Sequence, residues 1–144
     1  MWNKYYIPAS LEEALDLLAA SPEERRIVAG ATDLILELKR GLHKNVTTLI
    51  DISRINGLDS IVSDSEGNIH IGPLVTHNQI ASAPVIRKHA MCLAEASYQV
   101  GSPQIRNRGT IAGNIITASP ANDTIPPLIA LGAEVILINK DGQR

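Results

Sequence analysis

The chain has one cysteine, Cys92, in 144 residues. A lone thiol excludes a disulfide framework, a thiolate zinc centre or an iron-sulfur site within the chain, and it fits a reducing cytoplasm. No stretch approaches the ~18 continuous apolar residues of a membrane-spanning helix, and the opening Met1-Trp2-Asn3-Lys4 lacks the basic and apolar regions of a signal peptide. Charge is weak in both directions. Thirteen Lys and Arg against fifteen Asp and Glu give a formal net charge of -2, which leaves no electrostatic footprint for nucleic acid or an anionic membrane. Metal-ligand spacing is also missing: His43, His70, His77 and His89 are dispersed, without the i, i+4 pattern of a metal motif, and read as surface or turn residues. Ser102, Ser119 and Cys92 lack a glycine-elbow context, so acyl transfer is set aside, and Cys92 beside Leu93 and Ala94 reads as a buried, inert thiol.

What is present is a globular balance, 44% apolar and 19% charged, in a length that suits one domain or two small lobes. Ser10 and Glu13 have capping-box spacing, and Leu11, Ala14, Leu15 and Leu18 share one face, which predicts a helix over 11–20. Ile27-Val28-Ala29 reads as a buried strand, Leu34–Arg40 as a helix closed by Gly41, and Thr48–Ile52 as a further strand; this strand-turn-helix-strand unit predicts a small parallel sheet. After Ser53 the pattern changes. Ile61-Val62 and Ile69–Ile71 flank a turn-rich cluster and predict an antiparallel hairpin. Thr76 with Gln79 repeats the capping-box spacing, and a longer helix is expected over 88–100, ending at Gly101. A short apolar helix around Pro126–Leu131 and a strand at Glu134–Ile138 come next, with Asn139-Lys140-Asp141-Gly142 as a hairpin turn whose return strand is missing. The expectation is two lobes, 1–55 and 56–144, in the front part of a longer protein.

Two turns concentrate small and polar residues. Ala29-Gly30-Ala31-Thr32-Asp33 lies between a strand and a helix, where open backbone N–H groups and the local dipole favour an anion. The alternative is a tight turn in which Thr32 or Asp33 caps the helix. Gly109-Thr110-Ile111-Ala112-Gly113-Asn114, followed by Thr117, Ser119 and Asp123, offers close backbone approach together with donors and acceptors for phosphate and polyol. Its alternative is a polar loop that satisfies itself, with Asp123 as an N-cap for the next helix. Arg106 and Arg108 either neutralise a diphosphate or are solvated or paired.

Taken together, Ala29–Leu34 and Ile105–Ile115 resemble the FAD-binding subunit or domain of molybdenum hydroxylases, the relatives of xanthine dehydrogenase and of the carbon monoxide dehydrogenase medium subunit. The likeness extends to Tyr6–Ala14 and Ile71–His77. It implies an α+β, vanillyl-alcohol-oxidase (PCMH) type FAD-binding domain of two lobes, with FAD as cofactor. By this resemblance Ala29, Gly30, Ala31, Thr32 and Asp33 wrap the FAD diphosphate. Thr110, Ile111, Ala112, Gly113 and Asn114 contact the diphosphate and nearby ribityl region, Thr117 and Asp123 meet ribityl or ribose hydroxyls, and Ile116 lies near the isoalloxazine. The implied role is electron transfer from a partner iron-sulfur subunit through FAD to NAD or another acceptor, with hydroxylation in a molybdopterin-binding subunit. Two other readings stay open: a flavin reductase similar to UDP-N-acetylenolpyruvoylglucosamine reductase, and a non-catalytic assembly fragment that has lost FAD. The chain departs from the family in carrying Ala31 and Ala112 where adjacent glycines are usual. If either position needs positive φ, the alanine costs roughly 1 kcal/mol or more.

Overall fold

A parallel strand with neighbours on both sides has to be apolar, and this requirement orders the first sheet. In the computed structural model, which describes residues 2–144, β1 (Lys4–Tyr6), β2 (Arg25–Val28) and β3 (Thr48–Asp51) are all parallel, in the order β1-β3-β2. Central β3 buries Thr48, Leu49 and Ile50. α1 (Leu11–Ala19) leads from β1 to β2, and α2 (Leu34–Lys39) from β2 to β3. Ser10 caps α1 by accepting from the Glu13 N–H at 3.1 Å, while the Glu13 carboxylate accepts from the Ala9 N–H at 2.8 Å. Leu34, Ile35 and Leu38 of α2 pack with Trp2 and Ala31 against buried Val28, Val46 and Leu49. β1 has no counterpart among the sequence expectations. Its three residues are exposed, so it is fixed by pairing with β3 and by the Tyr5 hydroxyl donating to the Asp51 carboxylate.

The second unit begins with the expected hairpin, β4 (Ile61–Ser63) against β5 (Ile69–Ile71). Asp64 organises its turn: Oδ1 accepts from the Glu66 and Asn68 N–H groups at 2.9 Å each, and Oδ2 meets Asn68 Nδ2 at 3.0 Å and His70 Nε2 at 2.9 Å. Six short helices come after it: α3 (His77–Ser82), α4 (Pro84–His89), α5 (Met91–Gln99), α6 (Pro103–Arg106), α7 (Ile111–Thr117) and α8 (Ile125–Ala130). Their core joins Val75, Ile80, Ile86, Ala90, Leu93, Ala94 and Ile111. α3 carries the full reciprocal capping box of Thr76 and Gln79.

Several expectations are corrected here. The single helix over 88–100 is two helices, because Ala90 leaves helical geometry at φ -142°, ψ 49° to enter the core. Cys92 is exposed, since α5 turns Leu93, Ala94 and Ser97 inward instead. His77 is buried at 2% exposure rather than on the surface. The segment from Ile111, read as a turn or loop, is helical.

The chain divides into two compact units, one comprising the residues up to Asn56 together with Glu134–Arg144, and the other Gly57–Ala133. The closing residues, grouped by sequence with the second lobe, thus belong with the first sheet. Lys140 pairs with Asp16 of α1 at 2.7 Å. The strand expected over 134–138 forms only at its end, as β6 (Ile138–Asn139), and a return strand is present, β7 (Gly142–Gln143).

The hydrogen bond from His70, with those from Asn68 and Glu66, holds the Asp64 carboxyl well below the usual carboxylate range. A carboxyl lowered in the folded state stabilises above its unfolded pKa and loses that contribution as pH falls toward the folded one. Asp64→Asn is therefore expected to lower the thermal midpoint at neutral pH, with the gap to the parent closing progressively below about pH 4. A gap that stays constant through that acid range in thermal scans would sink this assignment.

Candidate functional site

The first turn leaves β2 after buried Val28 and reverses at Ala31, whose φ is +61°. A β-carbon in the left-handed region costs roughly 1–2 kcal/mol, and here the alanine packs against the apolar cluster of Val28, Val46 and Leu49. The capping alternative is not what forms: Thr32 Oγ1 donates to the neighbouring Asp33 carboxylate at 3.2 Å, and Asp33 makes no side-chain cap bond to α2.

The second turn is the start of α7. Thr110 caps it, its Oγ1 accepting from the Gly113 N–H at 3.1 Å. The Ile111 N–H donates to the Val75 carbonyl at 2.9 Å and the Asn114 N–H to the Thr110 carbonyl at 3.0 Å. This leaves the Ala112 N–H as the first-turn donor without a partner among the described residues. Ala112 itself is helical and carries no positive φ, so the family's glycine is not required there by backbone strain. At Gly113 a β-carbon would stand 3.1 Å from Thr110 Oγ1, pressing on the cap.

Farther along, the self-satisfied reading holds in part. Thr117 Oγ1 donates to the carbonyls of Gly113 and Asn114 at 3.2 and 2.8 Å, and accepts from Asn122 Nδ2 at 3.0 Å. Asn114 Oδ1 accepts from buried Thr124 Oγ1 at 2.5 Å, and its carbonyl accepts from Asn122 Nδ2 at 2.6 Å. Asn114 Nδ2 has no partner among the described residues, nor has the exposed Asp123 carboxylate. Asp123 does not cap α8, which begins after Thr124 with no side-chain cap. Ile116 is 80% exposed. Among the groups left open in this turn are the Ala112 N–H, the Asn114 amide nitrogen, the Asp123 carboxylate and the exposed Ile116 side chain.

Of the two arginines, Arg106 is buried and bonded within the unit, while Arg108 is exposed. Sequence reasoning did not single out Asn122, Thr124 or Ala118. Ala118 closes α7 in the left-handed region at φ +47°, and Pro120 two residues on is the signal that marks such an end.

The two alanines should therefore behave oppositely on replacement by glycine. Ala31→Gly is expected to stabilise the fold by about 0.5–1 kcal/mol through relief of the left-handed penalty, and Ala112→Gly to destabilise it by about 1 kcal/mol as a helical position. Denaturant titrations giving the same sign for both would rule out this backbone assignment.

The sequence model of the FAD binding domain in molybdopterin dehydrogenase matches residues 2–144. The nicotinate dehydrogenase FAD-subunit of Eubacterium barkeri is 42% identical over 142 residues, covering 98% of this chain and 47% of that protein. The carbon monoxide dehydrogenase medium chain of Hydrogenophaga pseudoflava is 33% identical over 141 residues, covering 98% of this chain and 48% of that one. The crystal structure of quinoline 2-oxidoreductase from Pseudomonas putida 86 matches with a TM-score of 0.90 at 28% identity, over 100% of this chain and 49% of its counterpart. The chain spans about half the length of the curated relatives it matches. Agreement of this extent in both sequence and fold means that the chain belongs to the family of FAD-binding domains of molybdopterin dehydrogenases, the molybdenum hydroxylase relatives that its two turns resemble.

Proposed function

We propose that the chain is the FAD-holding part of the flavin subunit of a cytoplasmic molybdenum-containing hydroxylase or dehydrogenase. Ala29–Asp33, and Thr110–Asn114 with Ile116, Thr117 and Asp123, are the residues assigned to the cofactor. The observation that carries this reading is the set of groups left open in the second turn, namely the Ala112 N–H, Asn114 Nδ2 and the Asp123 carboxylate. Donors of this kind suit phosphate oxygens, and a free carboxylate suits the hydroxyls of ribose or a ribityl chain. The group and the residues fit.

Each residue then has a definable task. The Ala112 N–H stands at a helix N-terminus, where partial positive charge adds to the hydrogen bond that a phosphate accepts. Asn114 is held by Thr124 through its oxygen, which leaves its amide nitrogen to donate to a ligand. Thr117 commits its hydroxyl proton to backbone carbonyls and can serve a polyol only as an acceptor. Ile116 presents an apolar surface suited to a flat aromatic ring. When bound, FAD supplies a carrier that takes reducing equivalents from an iron-sulfur partner subunit and passes them to NAD or another acceptor, while hydroxylation belongs to a molybdopterin-binding subunit. The reading of an assembly fragment without FAD drew on Ala31 and Ala112. Ala112 is helical, and strain of roughly 1–2 kcal/mol at Ala31 alone is small beside the ~8 kcal/mol of a micromolar complex.

The complete protein, co-expressed with its partner subunits, should purify with flavin absorbance; a folded, intact complex lacking flavin would overturn the proposal. Gly113→Val should strip FAD while lowering thermal stability only modestly, by crowding the Thr110 cap. Asp123→Ala should weaken FAD binding by about 1–3 kcal/mol, the range for a hydrogen bond to a charged group, with no loss of folding stability. A stability loss at unchanged affinity would return Asp123 to a structural role.

A further inference from the structure

Arg106 is a cation at 8% exposure, and none of the ion pairs among the described residues includes it. Its charge is met by neutral dipoles. Nη1 donates to the carbonyls of Val100 and Gly101, at 3.2 and 3.1 Å, where α5 ends; the guanidinium carbon lies 4.8 Å from the centre of the Tyr98 ring. A helix C-terminus and an aromatic face are both favourable settings for a buried guanidinium. The remaining directional contact is Nε, which donates to Asn78 Oδ1 at 3.2 Å. Asn78 in turn donates from Nδ2 to Asn107 Oδ1 at 2.5 Å. One amide on the first turn of α3 therefore grips both residues of the Arg106-Asn107 dipeptide, as acceptor to one and donor to the other.

That dipeptide is the lead-in to the second turn, and the residues after it have little freedom. The His77 N–H donates to the Gly109 carbonyl at 3.1 Å, and Thr76 forms an isolated antiparallel bridge with Thr110. A β-carbon at Gly109 would stand 3.2 Å from the Ile105 carbonyl oxygen and 3.3 Å from Cδ2 of the His77 ring. The chain from Arg106 to Thr110 is thus templated by Thr76, His77 and Asn78, and Asn78 contributes the side chain of that template with a defined direction.

We propose that Asn78 is a positioning residue for FAD: through Arg106 and Asn107 it sets where the Thr110 cap and the Ala112 N–H stand, without itself touching the cofactor. This rests on FAD binding at the second turn as proposed above.

The test uses the complete protein, with FAD removed and then titrated back while flavin fluorescence is followed, beside thermal midpoints of the FAD-free form. Asn78→Leu keeps the branched shape at a larger volume and removes both bonds, so it should raise the FAD dissociation constant about tenfold, the equivalent of one charge-assisted hydrogen bond. Asn78→Asp should restore affinity to near the parent, because a carboxylate accepts from Arg106 Nε and also from the Asn107 amide once that amide turns over. Should the leucine variant fail to fold, Asn107→Leu removes one arm at an exposed site and should still weaken binding about threefold. Parent-like affinity in the leucine variants, or an aspartate variant as weak as leucine, overturns the positioning role even where thermal midpoints fall. A folded parent that binds no FAD sinks the functional reading, and this inference with it.

Discussion

Two helix beginnings facing each other hold the second unit in register. Thr76 and Thr110 are the N-caps of α3 and α7, each with extended backbone, and they form the one isolated β-bridge among the described residues. The bonds on either side of the bridge, from the Ile111 N–H to Val75 and from the His77 N–H to Gly109, satisfy two helix-start donors that would otherwise be orphaned. Because Val75 and Ile111 are also core residues, the bridge cannot slip without opening the core. The start of α7, with its Thr110 cap and the Ala112 N–H, is set against that one short pairing.

The constraint also explains which polar residues are left for a ligand. Near the bridge, donors and acceptors are consumed: Thr110 by Gly113, Ile111 by Val75, and Thr76 by Gln79. Past the first turn of α7, Thr117, Asn122 and Thr124 bond among themselves and to Asn114. The open groups lie between these two networks or just beyond them. A rigid surround with a few uncommitted groups is the usual build of a cofactor site, since ordering is completed on folding rather than on binding.

Local rules in the sequence carried much of the fold. Ser10 with Glu13, Thr76 with Gln79, and the Asp64–Asn68 cluster each place their element because the contacts that make them lie within a few residues. Tertiary choices were not legible in that way. Nothing near Ala90 says that burial will break a helix there, and nothing near Cys92 says which side of α5 faces out. β1 is exposed throughout and shows itself only through its partner. At the two turns, the run of small residues was readable in Ala29–Asp33 and in Thr110–Asn114, whereas their backbone states were not. Both alanines look alike in sequence, yet Ala31 is left-handed and Ala112 helical. Distinguishing them required knowing that α7 starts at Ile111, and the β-branched and glycine residues Ile111, Gly113, Ile115 and Ile116 disguise that helix by their modest propensities.

The methyl group at Ala31 has a kinetic side. Glycine in that place would let the turn wander between left- and right-handed backbone whenever the surrounding structure loosened. Alanine, once forced over, is held there by its packing against the cluster of Val28, Val46 and Leu49, and the route back passes through loosening that cluster. A turn held in this way has less local freedom than a glycine turn, and its opening is tied to the loosening of that cluster.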